Sequence, residues 1–293
     1  MALPKIGLPL WFGTIERNHE RLREIITFFI DYGVKYVELS IDYPWPYKHN
    51  DSLQEMIKEI TSEGIGIAIH APWRDIHLAS PVERIRKASV DEVINAIEAV
   101  LSIETKLEYI VLHVNTMQKL TIADNRRETI KAAKNSVTEI LEKLREKLDT
   151  LPLLCIENLS NLFTSDIQDL PEVISDENLC LVLDVAHAYI SYIRSYKDYY
   201  RDFQSFLQDL INIVGAEKIN VIHFHDVSDK KKEHIIPGQG IIDYREVLKV
   251  LRKTNATYLL IEAYLDKEHK HLSLKEVLEY SREFMTWAKI YLA

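Results

Sequence analysis

The sequence predicts an α/β fold: a single (β/α)8 TIM barrel of parallel strands over residues 1–293, with its working site at the C-terminal ends of the strands. Two observations predict it. Short apolar runs alternate with amphipathic stretches about eight times along the chain. The runs are also continuously apolar rather than alternating, as strands are when both faces of a parallel sheet are covered. An open doubly wound sheet is the competing architecture, and the count of eight units favours closure.

The elements follow in order. Lys5–Leu10 is a first strand, and Glu16–Tyr32 has helical spacing with Leu22, Ile25, Ile26, Phe29 and Ile30 on one side, stopped by Gly33. Tyr36–Leu39 is strand two, followed by the aromatic loop Asp42–Tyr47 and a helix over Leu53–Ile60. Ile65–Ile69 is strand three, and Pro81–Ser102 a long amphipathic helix. Glu108–Leu112 is strand four, and Asp124–Leu148 a helix striped by Ile130, Val137, Ile140, Leu141, Leu144 and Leu148. Leu153–Ile156 and Leu179–Leu183 are strands five and six, followed by helices over Ile167–Ile174 and Tyr199–Val214. Ile219–Ile222 and Tyr258–Ile261 are strands seven and eight, with helices over Tyr244–Leu251 and Leu274–Ile290.

Composition bounds the function. Of the residues, 47% are hydrophobic and 28% charged, as in an ordinary globular protein. The net charge of -9 disfavours a nucleic-acid or anionic-membrane partner. Cys155 and Cys180 each sit in an apolar run and read as separate reduced thiols in the core. The start Met1-Ala-Leu-Pro-Lys5 has no signal pattern and no run reaches membrane-spanning length, so a cytoplasmic location is expected.

The chemical signal lies at the strand ends. Strands two to eight end, in order, in Glu38, His70, His113, Glu157, Asp184 (with His187 three residues on), His223 and Glu262. In a barrel these side chains face one mouth. Any one of them could be a hydrogen-bonded core group, but burying so many acids together costs several kcal/mol each unless cations offset it. A divalent metal resolves this: one ion is expected, and a second can be accommodated. Glu157, Asp184, His223 and Glu262 make a three-carboxylate, one-imidazole set suited to Mn or Mg and tolerant of Co or Zn. His70, His113, His187 and His234 form a softer second position that Glu157 can bridge. His225 and Asp226 are expected behind the ligands, with His225 facing away from His223. His19, His49, His77, His269 and His271 read as solvated.

These residues lie in motifs: His70-Ala-Pro72, Leu112-His113, Ile156-Glu157-Asn158, Leu183-Asp184-Val-Ala-His187, His223-Phe-His-Asp226 and Pro237-Gly-Gln-Gly240. As a set the chain resembles the xylose isomerase-like TIM-barrel superfamily, which holds sugar isomerases, ketose 3-epimerases and endonuclease IV-type apurinic/apyrimidinic endonucleases. The resemblance implies that Glu157, Asp184, His223 and Glu262 are the shared metal quartet. It also implies that Glu157 and Glu262 do the proton chemistry in an epimerase and that His187 binds substrate. The nuclease branch would place His70 and His113 on one outer zinc, and His187 and His234 on another. That second zinc also takes an aspartate two residues before its last histidine, where this chain has Lys232. Epimerases in turn place an arginine where His234 stands.

The expected function is therefore a metal-dependent isomerase or epimerase of a sugar or sugar phosphate, with proton transfer beside a carbonyl through an enediolate. Glu157 and Glu262 are its acid–base pair. His187, His234, Trp11, Trp45, Trp73 and Lys232 are the substrate-binding candidates, the aromatics offering faces to C–H groups and Lys232 a charge to a phosphate. An AP endonuclease is the alternative. It lacks a positive stripe beyond Lys230–Lys232, Arg126-Arg127 and Arg84-Ile-Arg86-Lys87. A non-catalytic metal- or sugar-binding barrel is a third reading. The small-molecule sugar is the expected partner, and the sequence is compatible with an oligomer.

Overall fold

The computed structural model describes residues 3–11, 22–104, 106–117, 123–160 and 167–292. Among them eight parallel strands close a barrel in sequence order: β1 Lys5–Trp11, β2 Tyr36–Ser40, β3 Gly66–His70, β4 Leu107–Leu112, β5 Leu153–Glu157, β6 Leu179–Asp184, β7 Ile219–Phe224 and β8 Tyr258–Ile261. Closure is made at β1, whose Gly7 is in register with both Tyr36 of β2 and Leu260 of β8. A Cβ on Gly7 would collide with the Tyr36 ring, so this position admits only glycine.

Strand alternation divides the core in two. One set of side chains, including Leu8, Leu10, Val37, Leu39, Ile67 and Ile110, packs outward against the helices. The other set fills the barrel interior: Tyr36, Ala68, Tyr109, Val111, Cys155, Cys180, Val182, Val221 and Leu260. Glu38, His70, His113, Glu157, Asp184, His223 and Glu262 each follow a member of this inner set by two residues. The apolar plug and the polar mouth are thus successive layers of one inward-facing series.

The helices depart from expectation where local signals were weak. The segment after β6 starts a helix at once, Val185–Ser191, because the Asp184 side chain accepts the His187 amide as its N-cap. The spacing had shown only the later helix, which begins at Phe203 and is capped by Asp202. The closing stretch is two helices, Leu274–Tyr280 and Arg282–Tyr291, the first opened by a Ser273–Glu276 capping box. Phe12, His19 and the stretch from Glu16 to Arg21 lie outside the described residues.

The cysteines correct the sequence reading. Cys155 and Cys180 are a disulfide, not separate thiols, with Cα atoms 4.3 Å apart. They are 25 residues apart in sequence, yet β5 and β6 place them side by side in register. No helix among the described residues is long and apolar enough to cross a membrane. Thiol titration of the denatured, unreduced protein should detect no free thiol and should detect both after reduction; two thiols before reduction would contradict the pairing.

Candidate metal centre at the barrel mouth

The inward series converges on Glu157. This carboxylate is 1% exposed. Its Oε2 lies 3.1 Å from His113 Nε2 and 3.6 Å from both His70 Nε2 and His223 Nδ1, and its Oε1 lies 3.1 Å from His187 Nδ1. Burial opposes its ionisation, but the charges and hydrogen bonds of His113, His187 and His70 outweigh burial and hold it well below the usual carboxylate range. Glu262 is likewise held low against burial, chiefly by its neighbour His223. Asp184 is lowered against burial by His187 and His225.

The quartet expected from the sequence is brought together. One ligand atom from each of Glu157, Asp184, His223 and Glu262 lies within 4.8 Å of the others, and all four residues are buried. His223 Nδ1 and Glu262 Oε2 are 3.2 Å apart, yet neither makes a hydrogen bond. Two buried polar atoms left without a hydrogen bond are the arrangement a cation completes, and the hard, anionic donor set fits a divalent ion.

A second group, His70, His113 and Glu157, also meets metal-ligand spacing. His70 Nδ1 faces the Ala71 carbonyl at 3.1 Å and so carries the proton, which leaves Nε2 to face His113 and Glu157. Burial would depress His70, but the Glu157 hydrogen bond and the charges of Glu38, Glu157 and Glu262 lift it to about 9. His113 is lowered, by burial above all.

His187 and His234 do not join these two as one four-histidine site. His187 Nδ1 donates to the Asn158 carbonyl and Glu157, and its Nε2 points at Glu233 Oε1, 3.6 Å away. Against burial, the charges of Asp184, Glu157 and Glu233 lift His187 to about 10. His234 Nδ1 donates to the Glu262 carbonyl, and its ring stacks between His225 and Tyr264. Spacing alone meets ligand criteria for His234 only together with His225 and Glu262.

His225 corrects another expectation. It faces the same way as His223, because residues two apart on an extended chain share a side. Its Nδ1 accepts the His234 amide at 2.8 Å, so its Nε2 holds the proton and donates to Asp184 Oδ2 at 3.1 Å. Asp226, also expected behind the ligands, spends its carboxylate on the backbone of the following loop instead. Its two oxygens accept the amides of Val227, Ile242, Gly238 and Gly240 at 2.8 to 3.0 Å, which folds the long connection after β7 onto the barrel. A Cβ on Gly240 would strike the Asp226 carboxylate.

Above these groups lies a cavity of about 430 Å³ lined in part by Trp11, Trp73, His187, His234 and Tyr264. Two substrate candidates are misplaced by the sequence reading. Trp45 is 1% exposed and packed in the core beneath its loop, so its face is not offered to the mouth. Lys232 is exposed at the surface, while the adjacent Glu233 turns toward the cavity with a buried Oε1 that has no hydrogen-bond donor. Sequence reasoning missed Glu233 because charge runs read as solvated loops; its neighbour His234, at φ 62°, marks the tight turn that reorients the chain there. Among the residues read as solvated, His49 and His271 are exposed and His77 and His269 half-buried.

An eight-stranded parallel barrel with acids and imidazoles at the C-terminal mouth defines the class of protein. The chain belongs to the xylose isomerase-like TIM-barrel family, whose model matches residues 27–285. Two proteins of Methanocaldococcus jannaschii, both described as uncharacterised, are similar in sequence. One is 26% identical over 231 residues, 78% of this chain and 80% of its own length. The other is 27% identical over 195 residues, 64% and 61% of the two chains. Among solved structures, a D-tagatose 3-epimerase-like protein superposes with a TM-score of 0.71 at 21% identity, over 98% of each chain. Endonuclease IV from Thermus thermophilus superposes with a TM-score of 0.63 at 17% identity, over 98% of this chain and 100% of its own. At these identities the superpositions describe a shared fold.

The clamp at Asp226 and the charge balance of the mouth can each be tested. Asp226→Asn replaces an acceptor of two amides with a donor, so stability should fall by about 1–3 kcal/mol and hydrogen exchange should accelerate over residues 228–242. Unchanged exchange there would remove the clamp role. The second test concerns pH. His70 and His187 have folded values raised above the ordinary imidazole value of about 6.5. Their pairing with carboxylates therefore stabilises the metal-free fold fully below about 6.5 and is lost as pH rises through about 9 and about 10. The melting temperature of EDTA-treated protein should fall across that window. A saturating divalent cation should flatten the fall, and its binding at pH 8 should release protons, read from the buffer dependence of the binding heat.

Proposed function

We propose that this chain is a divalent-metal-dependent isomerase or epimerase acting on a sugar. The observation that carries the reading is the quartet itself: Glu157 and Glu262 both belong to the cation-type site and both lie at the floor of the cavity. The family resemblance includes enzymes of this chemistry, and several superposed structures are sugar 3-epimerases. A cavity of about 430 Å³ admits a monosaccharide, and the Trp11, Trp73 and Tyr264 rings suit its C–H faces.

Glu157, Asp184, His223 and Glu262 would hold the cation. When bound, a divalent cation supplies Lewis-acid stabilisation of the negative charge that develops on a substrate oxygen. The chain's own groups do the rest. One of Glu157 and Glu262, both ionised near neutrality, takes the proton from the carbon beside the carbonyl. The same or the other glutamate returns a proton, from the opposite face for epimerisation. His187 Nε2 and Glu233 Oε1 lie 3.6 Å apart on the cavity wall, where a substrate hydroxyl can meet both from the cavity side. Acids at the mouth and the outward Lys232 favour a neutral sugar over a sugar phosphate.

Phosphodiester cleavage at abasic DNA is the second reading. The observation in its favour is the preassembled His70–His113–Glu157 group, a place for a second cation. Against it, part of the basic set is tied up in ion pairs, which leaves mainly the exposed Lys230–Lys232 run and Arg84 to grip a duplex. Arg86 is buried against Glu83 and Glu139, Arg126 pairs with Asp169, and Arg127 with Asp124.

The decisive assay sets conversion of ketohexoses against nicking of abasic duplex, each with added Mn, Co or Zn. Glu157→Gln should lower kcat for sugar conversion by about 100- to 10,000-fold with an unchanged circular-dichroism spectrum. Full activity of that variant would overturn the acid–base assignment, and nicking without sugar conversion would install the second reading.

A further inference from the structure

Among the described residues, Glu38 is the one strand-end acid of the mouth that joins none of the ligand groups. It projects inward from β2, its side chain is 2% exposed, and its Oε2 lies 3.1 Å from His223 Nε2. Its ion-pair partner there is His223, which is itself fully buried and stands 185 residues away in sequence. A buried carboxylate set against a buried imidazole is expensive for a purely structural role, since an apolar side chain could fill the same space.

The chemistry of the imidazole gives Glu38 a purpose. A neutral ring has one proton and two nitrogens. On His223, Nδ1 faces Glu262 and Glu157 and makes no hydrogen bond, while Nε2 faces Glu38. Only the tautomer with its proton on Nε2 leaves the Nδ1 lone pair free toward the other ligands. A carboxylate oxygen accepting at Nε2 selects that tautomer, fixes the ring plane and strengthens Nδ1 as an electron-pair donor. We infer that Glu38 is a positioning residue of the cation site: it holds His223 in the Nε2–H form so that Nδ1 faces the ion. The inference rests on the quartet being a cation site, as proposed above.

The test measures cation binding directly. Metal-free wild type, Glu38→Ala, Glu38→Gln and Glu157→Gln are titrated with Co(II) and Mn(II) by calorimetry, and the Co(II) forms are compared by visible absorption. Glu38→Ala should bind about 100-fold more weakly, and Glu38→Gln, which keeps a neutral acceptor, about 10-fold more weakly. The Co(II) d–d bands should shift in Glu38→Ala, a change that loss of mere packing would not produce, while the near-ultraviolet circular dichroism stays as in wild type. If Glu38→Ala does not fold, the affinity and bands of Glu38→Gln decide. Wild-type affinity and bands in the Glu38 variants, with binding weakened in Glu157→Gln, overturn the Glu38 inference alone. Undiminished binding in Glu157→Gln, or no binding by wild type, overturns the quartet reading and this inference with it.

Discussion

One buried carboxylate, that of Glu157, touches four imidazoles that arrive from four different parts of the barrel. An ionised acid in such a place would cost several kcal/mol if left alone. Here the surrounding rings offset the charge, and their own protons are held by the acids in return. The mouth is therefore a mutual arrangement: remove one member and its neighbours become unpaired buried charges. Divalent cations and protons compete for the same lone pairs, which is why the chemistry of the site and its response to pH share one physical origin.

The connection after β7 depends on that arrangement and also shapes it. Asp226 gathers four backbone amides and so folds residues 227–242 against the barrel. From that loop His234 and Glu233 are delivered to the cavity, while Lys232 is turned out. His225 ties the two levels together, accepting from the His234 backbone and donating to Asp184. A segment that reads as a basic, solvated run thus contributes an acid to the site, because two positive-φ residues, Lys231 and His234, reorient the chain on either side of it.

Much of this was legible in the residues. Continuous apolar runs of strand length marked the eight strands, and the polar residue ending each from β2 onward marked the mouth, because a period of two carries the inward series from plug to site. The quartet followed from ligand chemistry. Other parts were not legible. The pairing of Cys155 with Cys180 depends on strand register, which apolar composition does not report. The burial of Trp45 depends on how its loop folds back, and aromatic content alone cannot tell a rim from a core. The helix at Val185 was hidden because its signal is a cap made by Asp184, a residue already read as a ligand.

By itself, then, the sequence determined the architecture and the identity of the acids and imidazoles, since both follow from periodicity and side-chain type, which are local. Tertiary structure alone decided which nitrogen of each histidine faces the centre, which acid stands behind His223, and which member of the Lys232–Glu233 pair enters the cavity. For His187, His223 and Glu233 those outcomes depend on partners tens to hundreds of residues apart, and only closure of the barrel brings such partners within 3 to 4 Å of one another.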